Sequence, residues 1–304
     1  MKIPNKKLNF AQKFLLKLNR PADYMYYKQM RKFLTSKEFN QKYLSVVSPP
    51  KVADTVSFKH SGNVGDIIYA LPSIIALSMH KPSHLYLHLN QKGCSKDHPL
   101  GGVMLNEKIA EMIKPLLEAQ PYINSVGIYD GQQPVTYNLD LFRELPVSSC
   151  LGDISRWYFQ IFDTNYDLSR AWIQAIPNNN YKDTIVWARS ERYQNPHLDF
   201  SFLAQYPKIV FVGLDHEYQL AKKQVPNIEH VKVKDFLELA QLIAGAKLFI
   251  GNQSFPYALA EAMKVPRILE LCYYTPNVVI HGENGYDTYF QANLEKRISA
   301  LYEK

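Results

Sequence analysis

Residues 52–79 read VADTVSFKH, then SGNVG, then DIIYALPSIIALSM. Val52 to His60, a short run with β-branched Val52, Thr55 and Val56, reads as a strand. Ser61-Gly62-Asn63-Val64-Gly65 is a tight loop, and from Asp66 to Met79 the residues Ile67, Ile68, Leu71, Ile74 and Ile75 fall on one helical face. A strand that runs through a glycine loop into a helix is the first unit of an α/β sheet, and its repetition along the chain decides the fold.

Outward from this unit, strands are predicted at Leu85–Leu89 and Ile123–Tyr129, with a helix from Asn106 to Ala119 between them. A polar, glycine-rich loop over Gly93–Met104 precedes that helix, and in the aromatic region Gly131–Ile176, where periodicity is hard to parse, a helix is expected at Ile154–Phe162. Pro177-Asn178-Asn179-Asn180 has the composition of a linker. A second series follows it, with strands at Thr184–Ala188, Ile209–Val212, Ile228–Val231, Leu248–Ile250 and Arg267–Leu271 and helices at His216–Gln224, Phe236–Ala244 and Pro256–Met263. The chain therefore divides into a basic helical extension over 1–51, an α/β domain over 52–177, a second over 178–285, and a C-terminal segment over 286–304. The helix Gln291–Tyr302 in that segment is expected to fold back onto the first domain. Two similar open sheets would face one cleft, although no internal sequence repeat accompanies them.

With 304 residues, 46% hydrophobic and 21% charged, the chain can fill two cores of roughly 100 to 150 residues each. Disorder, collagen and coiled coil are excluded. No apolar run approaches the roughly 18 residues of a membrane span, and Lys13 and Lys17 break an N-terminal segment that lacks a small-residue cleavage site. Cys94, Cys150 and Cys272 form no CxxC pair, so neither a disulfide framework nor a structural zinc is suggested, and a reducing cytoplasm fits best. The net charge of +7 is concentrated at one end: residues 1–50 hold 11 Lys/Arg against Asp23 and Glu38, while the rest holds 24 bases and 26 acids. That arm also carries Phe10, Phe14, Leu15, Leu18, Tyr24, Met25, Tyr26, Tyr27 and Phe33. It reads as one or two amphipathic helices, suited either to capping the core or to lying on an anionic bilayer at the inner face of the cytoplasmic membrane. No zinc-finger, RNP or GxxG pattern supports nucleic acid as a partner.

Two strand ends lead through a glycine turn into a helix, and ligands of open parallel sheets bind at such ends. At the first, Gly62 and Gly65 permit close backbone approach beside Asn63, and Asp66 is either a general base or an N-cap whose pKa the helix dipole lowers. At the second, Gly251-Asn252-Gln253-Ser254 has the makings of a phosphate cradle, although no P-loop and no G-x-G-x-x-G occurs. Arg189 and Arg192, just past the strand at Thr184–Ala188, are either partners for a diphosphate or surface loop arginines. Gly213 ends another strand, and Glu217 in the next helical turn stands within reach of a ribose diol or simply serves the helix dipole. The nine histidines form no HExxH, Cys94 and His98 are an isolated pair, and no short D-x-D is present, so no metal and no cofactor is expected. Neither a G-x-S-x-G elbow nor a recognisable Cys/His pairing suggests a hydrolase.

The run His60-Ser61-Gly62-Asn63-Val64-Gly65-Asp66-Ile67-Ile68-Tyr69-Ala70-Leu71-Pro72-Ser73-Ile74 resembles the "xGDxxxxLPxI" opening of the ADP-heptose lipopolysaccharide heptosyltransferase family. Phe249-Ile250-Gly251-Asn252-Gln253-Ser254-Phe255-Pro256-Tyr257-Ala258-Leu259-Ala260-Glu261-Ala262-Met263-Lys264-Val265-Pro266 looks like its "xxGNDSGPxHLAxAxxVP", and FVGLDHE, ending at Glu217, resembles its "GxxxE". The resemblance covers about Val52 to Leu271 and leaves out the basic arm. It implies a GT-B glycosyltransferase with two Rossmann-like domains, the acceptor mainly on the first and a nucleotide-sugar on the second, and an inverting, metal-independent transfer. It implies further that Asp66 is the base, that Arg192 lies near a phosphate-binding position, and that Glu217 and Ser254 contact ribose and diphosphate. Gln253, Phe255 and Ala258 stand where the family has Asp, Gly and His, so the donor sugar is expected to differ or the donor site to be lost. The implied acceptor is a glycan or lipid-linked glycan of a cell-surface polysaccharide or lipopolysaccharide. A GT-B scaffold that binds nucleotide or glycan without catalysis, and a nucleotide-sugar epimerase, remain alternatives.

Overall fold

The computed structural model describes residues 7–35, 41, 54–93, 102–144 and 152–303. The expectations for Val52, Ala53, Cys94, His98 and Cys150 lie outside these residues, as does the arm beyond Thr35 apart from Gln41. Two helices, α1 (Phe10–Asn19) and α2 (Pro21–Thr35), form the described part of the arm. The first sheet is built from β1 (Val56–His60), β2 (Ser83–Leu87), β3 (Ser125–Ile128) and β4 (Tyr137–Asn138), with helices α3 (Val64–Ser78), α4 (Glu107–Glu118), α5 (Leu141–Glu144) and α6 (Ile154–Phe162). The second sheet comprises β5 (Ile185–Ala188), β6 (Ile209–Phe211), β7 (Glu229–His230), β8 (Leu248–Asn252), β9 (Arg267–Glu270) and β10 (Gly285–Thr288). Its helices are α7 (Asp215–Gln224), α8 (Phe236–Gly245), α9 (Phe255–Met263) and α10 (Gln291–Tyr302).

Among the described residues every strand pair is parallel. The orders are β3-β2-β1-β4 and β10-β9-β8-β5-β6-β7. Each sheet therefore runs outward from its first strand and then reverses to that strand's other side. The reversal lies between β1 and β4 in the first sheet and between β5 and β8 in the second. Such a switch point leaves a crevice at the carboxyl ends of the two strands, which is where open α/β sheets take ligands.

Parallel sheets need both faces covered, and the alternation along β5 and β8 shows how this one manages it. Ile185 and Trp187 face one core with Leu248 and Ile250, while Val186, Ala188 and Phe249 face the other. That second core is continuous with the packing of the first sheet, where α3, α6 and α9 contribute Ile67, Leu71, Trp157, Tyr257 and Ala260. Helix α3 crosses this region almost wholly buried. Pro72 in its middle has no N–H to give Ile68, and the Trp172 indole supplies the missing donor to the Ile68 carbonyl at 3.0 Å. The last helix departs from expectation. Leu294, Ile298 and Leu301 of α10 line one helical face and pack into the core of the second sheet with Ile185 and Ile268, since that outer face would otherwise be open to water.

Candidate functional site

Asp66 is the third residue of α3 rather than its cap. Asn63 is the N-cap and makes no side-chain cap bond, while the Asp66 carboxylate reaches back to the Asn63 backbone N–H. Its Oδ2 also accepts from Arg143 Nη2 at 3.2 Å, with both side chains one-fifth exposed. Burial raises the Asp66 pKa above the ordinary carboxylate value, against the pull of Arg143, the Asn63 N–H and Arg192. The lowering expected from the helix dipole is thus overturned, because desolvation of the charged form outweighs it.

Arg143 is held in turn by Asp140, whose Oδ1 accepts from Arg143 Nη1 at 2.9 Å and from the Ser61 backbone N–H and hydroxyl at 2.7 and 2.8 Å. Lys59 closes on the other oxygen at 3.1 Å. Burial works against ionisation of Asp140, but His60, Arg143, the Ser61 hydrogen bond and Lys59 outweigh it and hold its pKa low. Asp140 follows β4 and Ser61 follows β1, so this network bridges the switch point of the first sheet. His60 completes it. Its Nδ1 accepts from the Gly62 N–H at 2.9 Å, which assigns the remaining proton to Nε2 for the Tyr158 hydroxyl at 2.8 Å. The Tyr158 hydroxyl then donates to the Asp66 carbonyl at 3.2 Å. Burial pushes the His60 pKa down to about 3, so the ring is neutral at pH 7.

The two glycines here differ. A Cβ on Gly62 would stand 1.9 Å from Arg143 Nη2, 2.5 Å from His60 Cε1 and 2.9 Å from Asp66 Oδ2, whereas one on Gly65 would meet nothing within 4 Å. Gly62 therefore makes room for the Arg143–Asp66 pair, and Gly65 borders open space.

The switch point of the second sheet is bridged in the same manner. Asn252, fully buried at the end of β8, donates to the Ser190 and Arg192 carbonyls at 2.8 and 2.6 Å and accepts from the Ser190 N–H at 3.0 Å. It fixes the loop after β5 instead of facing the cleft. Arg192, exposed on that loop, lies close enough to Asp66 for its charge to lower the carboxylate's pKa. Arg189 is engaged elsewhere: its Nε and Nη2 make a bidentate pair with Glu270 at 2.7 Å each, and Phe200 covers the guanidinium at 4.8 Å. The structure thus separates two arginines that the sequence reading had placed together. One is a structural clamp and the other is exposed on its loop.

Gln253 is also committed. Its Nε2 donates to the Thr275 carbonyl and to Asn277 Oδ1, and its Oε1 accepts from the Cys272 N–H, so the amide anchors the loop after β9. That loop displays Tyr273 and Tyr274 side by side, 48% and 69% exposed. Phe255 packs on Phe236 with ring centroids 4.4 Å apart, and Ala258 is fully buried. Ser254 is the N-cap of α9 but does not cap it with its side chain, and its hydroxyl turns to the Asn252 carbonyl at 3.2 Å. Gly251 lets β8 approach β5, since a Cβ there would meet the Ala188 carbonyl at 3.1 Å. Glu217 in α7 accepts from the Leu214 N–H at 2.9 Å, and a Cβ on Gly213 would crowd that carboxylate at 2.9 Å. Among the described residues no group of three His, Cys, Asp or Glu is placed to hold a metal ion.

The fold of the chain is similar to that of the E. coli heptosyltransferase WaaC with ADP, over 82% of this chain and 99% of that one, at a TM-score of 0.54 and 11% identity. The E. coli ADP-heptose lps heptosyltransferase II matches over 82% of this chain and 98% of its own, at a TM-score of 0.52 and 11% identity. The fold is the GT-B fold. At this identity the likeness is one of fold alone. By sequence, no family model matches the chain and no curated protein matches it. Within the GT-B frame the two bridged switch points face each other, Asp66 on one side and Arg192 on the other. Three residues escaped the sequence reading: Asp140 and Arg143 lie in the aromatic region without clear periodicity, and Tyr158, although on the expected helix Ile154–Phe162, meets His60 only through tertiary structure, 98 positions away. The one local signal is the i,i+3 spacing of Asp140 and Arg143 around a helical turn.

Proposed function

We propose that the chain is a glycosyltransferase that moves a sugar from a nucleotide-sugar, held at the second switch point, to a hydroxyl of a glycan or lipid-linked glycan over the first. The acceptor class is that of cell-surface polysaccharide or lipopolysaccharide precursors. One observation carries this reading: each of the two parallel sheets has a switch point, with the half-buried Asp66 carboxylate beside the first and the exposed Arg192 on the loop after β5 at the second. WaaC, which shares the fold, has been seen with ADP and with ADP-2-deoxy-2-fluoro heptose.

In the proposed reaction the acceptor oxygen bonds to the anomeric carbon as the bond from that carbon to the diphosphate breaks on the opposite face, inverting the centre. The acceptor proton passes to Asp66, whose raised pKa makes it a stronger base than an exposed carboxylate, while Arg143 favours its ionised form. The negative charge left on the nucleoside diphosphate meets Arg192, the backbone N–H groups at the start of α9 and the Ser254 hydroxyl once it rotates from the Asn252 carbonyl, with no metal required. Glu217 has lone pairs beyond the one given to Leu214 for a ribose diol.

The test is a thermal-shift screen against ADP, UDP, GDP and CMP and their sugars with EDTA present. A nucleotide at about a hundred times its Kd adds about 2.7 kcal/mol to stability, so the donor's own base is expected to raise Tm by several degrees. No shift with any of them would reject a metal-independent donor site. The engagement of Arg189 and Gln253 in internal bonds specifically favours a second reading, a non-catalytic GT-B scaffold. That reading predicts nucleotide or glycan binding without turnover. An epimerase would convert the sugar with no acceptor present.

A further inference from the structure

Helix α1 displays the side that an amphipathic helix normally hides. It starts from a complete capping box, with Asn9 Oδ1 accepting from the Gln12 N–H at 2.9 Å and Gln12 Oε1 accepting from the Asn9 N–H at 3.0 Å. Its lead-in is pinned to α2 by the Leu8 N–H, which donates to the buried Tyr27 hydroxyl at 2.8 Å. At about 100° per residue, Phe10, Phe14, Leu18 and Leu15 fall within an arc of roughly 140°. These four are 85%, 54%, 62% and 56% exposed, and no residue of α1 is buried. Leu16, on the opposite side, is half-buried, as is Lys13 at the edge of the stripe. The helix therefore turns its weaker side inward and its four large apolar side chains to water.

Charge narrows what can cover that stripe. Lys13 and Lys17, one turn apart, flank it, Lys7 precedes it, and no acidic residue occurs from Leu8 to Arg20. A second copy would bring the same stripe together with the same net +9 of residues 1–50, so like charges would meet at such a contact. A partner that is apolar and anionic at once is a bilayer of acidic phospholipids. Ten residues of helix span about 15 Å, half of a hydrocarbon core, so α1 cannot cross. Among the described residues no helix is long and apolar enough to do so. We propose that α1 is an interfacial anchor, lying in the plane of an anionic membrane with Phe10, Phe14, Leu15 and Leu18 in the acyl boundary and Lys13 and Lys17 at the headgroups. Helix α2 also exposes Met25 and Tyr26. This proposal stands independently of glycosyl transfer.

The test is flotation of the full chain with phosphatidylcholine vesicles containing, or lacking, about 30% phosphatidylglycerol, at low and high salt. The wild-type chain is expected to float with the anionic vesicles and to be released by salt. The Phe14→Asp/Leu18→Asp pair is expected to lower partitioning at least about tenfold, as is Lys13→Glu/Lys17→Glu. Because α1 buries no residue, both variants are expected to keep the wild-type Tm. Failure of the wild-type chain to bind, equal binding to neutral vesicles, or unchanged binding by either variant overturns the anchor. So does a wild-type dimer in light scattering that Phe14→Asp/Leu18→Asp dissolves, because the stripe would then be a contact between copies.

Discussion

A methyl group on Gly62 cannot coexist with the Arg143–Asp66 pair, since it would lie 1.9 Å from one partner and 2.9 Å from the other. Gly62→Ala must therefore expel Arg143 and leave two half-buried charges poorly compensated. A loss of about 1–3 kcal/mol is expected in urea unfolding. Gly65→Ala, with no atom in its way, is expected to stay within about 1 kcal/mol of the parent, and equal losses at the two positions would refute this steric account. Asp66→Asn keeps an acceptor for Arg143 but no longer takes a proton. Nucleotide-induced stabilisation is expected to survive in that variant while transfer falls at least about a hundredfold; wild-type turnover would remove Asp66 from the base role. Gly62 and Asp66 were legible because they are neighbours on one strand–loop–helix unit. Arg143 was not, because its bond to Asp66 spans 77 positions of the chain and only tertiary structure creates it.

Consecutive side chains at the end of β8 point opposite ways, and this places two loops at once. Asn252 holds the loop after β5 and Gln253 holds the loop after β9. If Asn252 serves nucleotide binding only by positioning Arg192, then Asn252→Ala and Arg192→Ala are each expected to weaken diphosphate affinity about tenfold. The double variant should then be little weaker than either single one, which calorimetry on the four proteins resolves. Fully additive losses would mean that Asn252 contacts the nucleotide itself. Most strands and helices of the second sheet were readable because short β-branched runs alternate there with helical periodicity. Strand β4 and α5 were not, because they lie in the aromatic region where no period stands out, and β10 has a half-exposed pattern at the sheet edge that β-propensity alone does not reveal. Periodicity identified the Gln291–Tyr302 helix but carried no information about which sheet its apolar face would meet.

At the scale of the molecule, the two sheets share a continuous core and polar links, among them Asp153 to His281 at 2.7 Å and the Trp172 N–H to the Ala262 carbonyl at 2.9 Å. Loss of the buried His60 network should thus be felt in global unfolding. The His60 pKa is lowered from 6.5 to about 3 by burial, so as pH falls the unfolded chain takes up this proton first. The stability tied to His60 is accordingly complete above pH 6.5 and is lost as pH falls toward about 3. His88, also lowered by burial, acts in the same direction, and Asp140 does so below the ordinary carboxylate range. Asp66 has the opposite sign: its raised pKa gives stability below the ordinary carboxylate value that is lost as pH rises through the raised one. Between pH 6 and pH 4.5 the histidine effect is set against whatever Asp66 returns, and one fully buried histidine supplies up to roughly 1.4 kcal/mol per pH unit. Urea unfolding of the wild-type chain is expected to lose about 1–2 kcal/mol over that interval. His60→Gln, which keeps a donor for Tyr158 and cannot take up a proton, is expected to be less stable at pH 7 yet flatter across the same window. A variant with the wild-type slope would show that acid sensitivity arises elsewhere and that the His60–Tyr158–Asp66 chain does not couple the first switch point to the stability of the whole.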